Sequence, residues 1–270
     1  MNWMVEMFSY TFMQRAIIVG VLISACAALL GVSLVLRKNS MIGDGLSHTA
    51  FSAFAVALVL GLTPIYFAIP VVIIASFVVL RLSKSRKSNG DAAIALLSAS
   101  SLAIGVMAIS VVKGVNIDLN SYLFGSILSV GWGDVWLSII MTILVVGLYV
   151  FAHNRIFAIT FDEEFAKSTG VRTGYYDIIF AIICSVVIVL GMRLLGALLI
   201  SSLIIFPTII SMQFSKSFKV LVIWSVVISI INFMLGLIIS YLVATPTGAT
   251  VVIVNLIVLL VTKIVRKMVA

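Results

Sequence analysis

Asp44 and His48 stand four positions apart in the run Ser40-Met41-Ile42-Gly43-Asp44-Gly45-Leu46-Ser47-His48-Thr49. On a helix that spacing puts both side chains on one face, where they converge. A carboxylate oxygen and an imidazole nitrogen make a half-site for Zn2+ or Mn2+. A purely apolar stretch follows them. A carboxylate in a membrane helix costs roughly 2.5–3.5 kcal/mol on insertion scales, so it faces a cavity or a partner. Gly43 and Gly45 leave room for an ion or a neighbouring helix. Structural zinc takes four ligands, whereas an ion that must be released is served by fewer. A second reading stays open: Asp44 caps its helix and His48 hydrogen-bonds to it as a satisfied pair.

Other chemistry is sparse. Asp118 lies in a loop, where it can attract an arriving cation or simply close a turn. Asp91, Asp134 and Asp177 open apolar segments and read as helix N-caps. Cys26 and Cys184 fall inside apolar segments and form neither a disulfide framework nor a CxxC metal motif. The sequence contains no GxxxxGK[ST], HExxH or GxSxG, so P-loop ATP binding, zincin chemistry and serine hydrolysis are not supported.

The elements that must position these residues follow from composition. The chain has 270 residues, 63% hydrophobic and 10% charged, with mean hydropathy +1.32. A soluble domain is about 45–50% apolar and about 25% charged. A soluble enzyme, a disordered chain and a nucleic-acid-binding domain are thereby excluded. The net charge of +8 reflects membrane topology, because the charges fall between long apolar runs.

A spanning helix needs about 20 apolar residues, and nine segments qualify: Ala16–Leu36, Met41–Leu62, Pro64–Leu82, Asp91–Val112, Asp134–Ala152, Asp177–Met192, Leu194–Phe214, Lys219–Val243 and Ala249–Val265. Only Arg193 interrupts the run from Asp177 to Phe214, which is too long for one span and so reads as a hairpin. Alternating the spans places 14 of the 17 basic residues on one side. Arg15, Lys113 and Arg193 are left on the other. By the positive-inside rule the N-terminus is outside and the C-terminus inside. The expected fold is an all-α polytopic integral membrane bundle of about nine transmembrane helices, forming a single domain over residues 1–270. Residues 1–15 read as an outer interfacial helix anchored by Trp3, Phe8 and Tyr10. The absence of a basic leader argues against a cleaved signal peptide. Pro207 falls inside a span and predicts a kink; with the small residues Gly196, Ala197, Ser201 and Ser202 it forms a candidate gate.

The inner loop of residues 153–176 carries a short helix, Phe161–Gly170. Asp162 is its N-cap, Glu163 and Glu164 favour its first turn, and Gly170 ends it. Phe161 and Phe165 form an apolar ridge. Such a helix docks into a partner's groove or rests on lipid.

Four stretches then carry a resemblance: Met41–His48, Asp118–Gly125, Gly196–Pro207 and Thr245-Pro246-Thr247-Gly248. In this order the chain resembles the membrane permeases of bacterial metal-ion ABC importers, from about Phe8 to Lys263. The Asp118–Gly125 and Gly196–Leu203 runs resemble zinc permeases more than manganese ones. The chain departs from the family at Thr208-Ile209-Ile210-Ser211, where small Ala-rich residues are common. The resemblance implies a homodimer in the bacterial cytoplasmic membrane, with two cytoplasmic ATPase subunits and an extracytoplasmic metal-loaded solute-binding protein. It implies that Phe161–Gly170 is the coupling helix. It also implies that Asp44 and His48 line the path of Zn2+, or of Mn2+ or iron, carried as substrate with no permanent cofactor. The protein would then be no enzyme itself. An ATPase-independent carrier or a membrane scaffold is the alternative of another class. Because only neutral His48 can ligate, uptake should weaken at acidic pH; equal uptake in acid would contradict this.

Overall fold

The computed structural model describes residues 7–83, 90–111, 125 and 130–269. Among these the chain forms eleven helices and no strand. They are α1 Thr11–Leu36, α2 Ile42–Val59, α3 Pro64–Ser83, α4 Gly90–Val111, α5 Trp132–Phe151, α6 His153–Phe161, α7 Glu163–Ser168, α8 Thr173–Leu195, α9 Ala197–Ser211, α10 Phe218–Val243 and α11 Thr247–Val269.

Each of the nine apolar segments overlaps a helix. Eight of the helices have the length and hydropathy of membrane spans. The ninth, α9, has 15 residues, which at 1.5 Å per residue is about 22 Å. That is shorter than the hydrocarbon core of about 30 Å. Its start is set by Gly196, at φ 92° and ψ 153°, a backbone state that glycine adopts and side chains resist. The hairpin break therefore falls at Gly196, not at Arg193, and one residue joins α8 to α9.

The first span differs from expectation. Residues 1–6 lie outside the described residues. Thr11–Arg15, expected in an interfacial helix, are instead the first turn of α1. The break falls at Tyr10, and Met7 is fully buried. Arg15 thus rides on the spanning helix, with its guanidinium 6.0 Å from the ring centre of Trp132.

Short α9 is the centre of the bundle, packed by α1, α2, α8, α10 and α11. Most of its residues are buried, including Ser201, Ser202, Thr208 and Ser211. Ser201 and Ser202 donate back to the carbonyls of Ala197 and Leu199, both at 3.0 Å. Their hydroxyls are thereby satisfied without water, as a lipid-embedded core demands. Pro207 is buried within α9, and its missing N–H leaves the Leu203 carbonyl without its usual donor. At Gly31 of α1 an added Cβ would lie 2.0 Å from the Ile204 carbonyl oxygen. Backbone meets backbone there, the close approach that small residues allow between membrane helices. The outer helices α4 and α5 instead expose Leu96, Met107, Ile143 and Val150. In a bilayer such faces meet hydrocarbon and carry no penalty.

Two ion pairs fasten α8 at its ends. Arg37, just past α1, holds Asp177 at 3.0 Å. Asp177 is therefore not the N-cap expected of it: α8 begins at Thr173 and Asp177 sits one turn in. At the other end Arg193 holds Asp134 at 2.8 Å, and Asp134 also accepts the Gly131 N–H at 2.9 Å.

Candidate functional site

Asp44 is the third residue of α2, in the first turn, where unpaired backbone N–H groups favour a carboxylate. No side-chain cap bond forms at this terminus. One turn on, His48 Nε2 lies 3.6 Å from Asp44 Oδ1. That is beyond a hydrogen bond. It is close to the separation of about 3.3 Å kept by two donors that each sit about 2.0–2.1 Å from a tetrahedral ion. Ser98 of α4 donates to the other carboxylate oxygen at 3.3 Å. The Asp44 side chain is 39% exposed and that of His48 21%, so the pair has an open side.

The second imidazole nitrogen, Nδ1, is buried without a hydrogen-bond partner. A resident metal-binding histidine normally fixes this nitrogen with a second-shell acceptor. Leaving a buried polar atom unmet costs roughly 1–3 kcal/mol. The two side chains thus make no hydrogen bond to each other, and Nδ1 has no partner. Among the described residues no group of three or more His, Cys, Asp or Glu side chains gathers. One chain thus brings one carboxylate and one imidazole together here.

The surroundings position the pair. Thr49 bonds the Gly45 carbonyl at 2.8 Å and meets Ser101 of α4 at 3.1 Å. Ser47 bonds the Gly43 carbonyl at 2.7 Å and lies 3.4 Å from Ser201 of α9. The two glycines admit neighbouring helices. A Cβ on Gly45 would lie 3.0 Å from Ile94, and one on Gly43 would lie 2.9 Å from the tip of Ile204. Sequence reasoning missed Ser98. Its signal was the polar cluster Ser98-Ala99-Ser100-Ser101 in an otherwise apolar span. Asp118 lies outside the described residues. Gly125, at φ 81°, is described: a Cβ there would lie 2.4 Å from the Leu195 carbonyl, so the backbone at Gly125 itself lies against the α8–α9 joint.

The inner-loop helix differs from the single helix expected over Phe161–Gly170. Two helices form, α6 and α7, and Asp162 between them is extended at φ −150° and ψ 99°. Phe161 therefore ends α6 and shares no ridge with Phe165. It packs instead on Phe157 and Phe218, with ring centres 4.8 and 6.1 Å away. The expected capping is present. Asp162 caps α7 by accepting the Phe165 N–H at 2.9 Å, and Gly170 ends the turn at φ 83°. Lys167 bridges Glu164 at 2.9 Å and Glu163 at 3.2 Å. Hydrogen bonds to Glu164 and then Glu163 hold the lysine above its ordinary range. The bridge is present at neutral pH and is lost only as pH rises through that raised value. Phe165 is 61% exposed, a large apolar ring on a capped, stapled turn.

Comparison with known proteins follows the same geometry. The ABC 3 transport family model matches residues 9–266. The high-affinity zinc uptake system membrane protein ZnuB of Haemophilus influenzae is 29% identical over 88% of this chain and 91% of its own. The manganese import system permease protein ScaB of Streptococcus gordonii is also 29% identical, over 93% and 90%. Among solved structures, PsaBC from Streptococcus pneumoniae in complex with Fab superposes with a TM-score of 0.85 at 26% identity. The overlap covers 97% of this chain and 94% of that one.

Proposed function

The chain belongs to the ABC 3 transport family and is a multi-pass membrane permease for metal ions, and from that premise we propose that it passes Zn2+ into a bacterial cell by alternating access. Membership sets aside the readings as an ATPase-independent carrier or a scaffold. The observation that carries the zinc-site reading is the open, under-satisfied Asp44–His48 pair. An imidazole donor suits zinc, whereas manganese prefers carboxylate and carbonyl oxygen. The equal identity to a zinc and a manganese relative keeps manganese as the second reading.

In this reading the end carrying Arg37, Lys38, Lys216, Lys219 and Lys263 faces the cytoplasm of a bacterial plasma membrane, with the N-terminus outside. Two copies associate, doubling the donor set to two carboxylates and two imidazoles. A solute-binding protein delivers the ion outside, near the loop holding Asp118. Two ATPase subunits bind the inner face, each receiving α7 with Phe165 as its apolar anchor and Asp162, Glu163, Glu164 and Gly170 shaping the turn. Phe161 passes the movement to α10 through Phe218. Central α9, with Pro207 lacking its backbone donor, is the gate element that responds.

The test is metal uptake by proteoliposomes holding permease, ATPase and binding protein, with radiolabelled zinc and manganese supplied together. Zinc uptake that Asp44→Ala or His48→Ala abolishes, in complexes that still assemble, supports the proposal. Preferred manganese uptake establishes the second reading. Undiminished uptake in both variants removes the pair from the ion path. Phe165→Glu should abolish co-purification with the ATPase; retained assembly would refute the role given to α7.

A further inference from the structure

A groove of about 620 Å3 opens on the outer surface of the bundle, between α1, α5 and α10. Its walls include Ala25 and Leu29 of α1, Val146 and Val150 of α5, and Val226 and Val227 of α10. Val150 is 67% exposed, so the groove opens away from the protein core. The one wall residue with a hydroxyl, Tyr149, turns it inward to Ser33 at 2.7 Å and to the Leu29 carbonyl. Only its ring is left for the wall.

The ends of the groove are unlike. Its deep end is aliphatic. At the basic end of the bundle it reaches His153 and Lys219. None of the lining residues is acidic. The His153 ring is held against Phe218, with ring centres 5.4 Å apart, and Lys219 is exposed at the start of α10. From Lys219 to Val227 is eight residues of helix, about 12 Å. One leaflet of a hydrocarbon core about 30 Å thick is about 15 Å deep. The groove thus runs most of one leaflet, with cationic and hydrogen-bonding groups at headgroup level. Basic pockets between spanning helices recognise anionic headgroups in this way.

We propose that this groove binds an anionic phospholipid, with one acyl chain along α1, α5 and α10 and the headgroup phosphate on Lys219 and His153. The charge at one end and the apolar wall beyond it match a phospholipid along its length. The groove itself supplies Lys219 with no acidic residue, which leaves the ammonium for an anionic headgroup.

The experiment is native mass spectrometry of the permease exchanged into mixtures of phosphatidylglycerol and phosphatidylcholine carrying identical chains. Wild type should retain phosphatidylglycerol several-fold over phosphatidylcholine. Lys219→Gln, an exposed and fold-neutral change, should cut that preference roughly fivefold. Val226→Phe, which fills the groove, should lower retention of both lipids alike. Equal retention of the two lipids by wild type overturns the proposal, as does an undiminished preference in Lys219→Gln. So does a switch from dimer to monomer in Val226→Phe, which would assign the groove to a second copy of the chain.

Discussion

Two pairs that each set a carboxylate against a nitrogen-bearing side chain lie near opposite ends of the same bundle, and they are built differently. Arg193 and Asp134 meet at 2.8 Å, with the second carboxylate oxygen taken by the Gly131 N–H. Asp44 and His48 stand 3.6 Å apart, with one long bond from Ser98 and a buried nitrogen that has no partner. In the first pair both carboxylate oxygens are committed to the fold. The second keeps lone pairs in reserve on an open side. A site that receives and releases an ion needs that reserve, because groups already satisfied gain little from a new ligand.

The comparison is sharpened first by removing donors from the open pair. Asp44→Ala or His48→Ala should lower zinc uptake by at least about 100-fold, since even second-shell losses cost about 10–100-fold at metal sites. Thermal stability in detergent should hold; a large fall in Tm would show the pair to be structural. Breaking the closed pair should do the reverse. Asp134→Ala should cost about 1–3 kcal/mol, between the values for exposed and fully buried pairs. Calorimetry or a thermal-shift assay checks this, and the double change Asp134→Leu with Arg193→Met should recover most of the loss. Ser98→Ala should weaken metal binding by less than about tenfold, as loss of one neutral hydrogen bond to a ligand; competition with a zinc-sensitive dye reads it. Smallest of all, Lys167→Gln should leave Tm unchanged while loosening α7 to amide exchange. If Lys167→Gln were as costly as Asp134→Ala, the distinction between exposed and buried pairs would fail here.

The apolar plan was legible because bilayer thickness and charge exclusion act on every residue of a span. Asp162 and Gly170 were legible because capping is local. The misread features all depend on partners distant in sequence. Asp177 looks like a cap until Arg37, 140 positions away, is seen to hold it. Arg193 looks like the hairpin break, yet it is paired with Asp134, and the φ of Gly196 makes the break. Phe161 reads as half of a ridge with Phe165 until the extended Asp162 separates them and Phe218 claims the ring. Thr11–Arg15 read as polar and interfacial, but helix propagation carries them into α1. At the candidate site the i,i+4 spacing revealed Asp44 and His48; Ser98 needed the packing of α4 on α2.

The glycine contacts divide the molecule mechanically. Gly31 sets α1 on the backbone of α9, and an added Cβ on Gly105 would lie within 3.0 Å of the Phe51 ring and the Ser52 Cα across α2 and α4. At both boundaries backbone comes close to backbone, at the second with the Phe51 ring beside it, so neither leaves room for a larger side chain. Between the two pairs of helices the contacts are soft: the tip of Ile204 over Gly43 and the 3.4 Å approach of Ser47 and Ser201. Gly43 and Ser47, which line that seam, stand on the same two turns of α2 as Asp44 and His48.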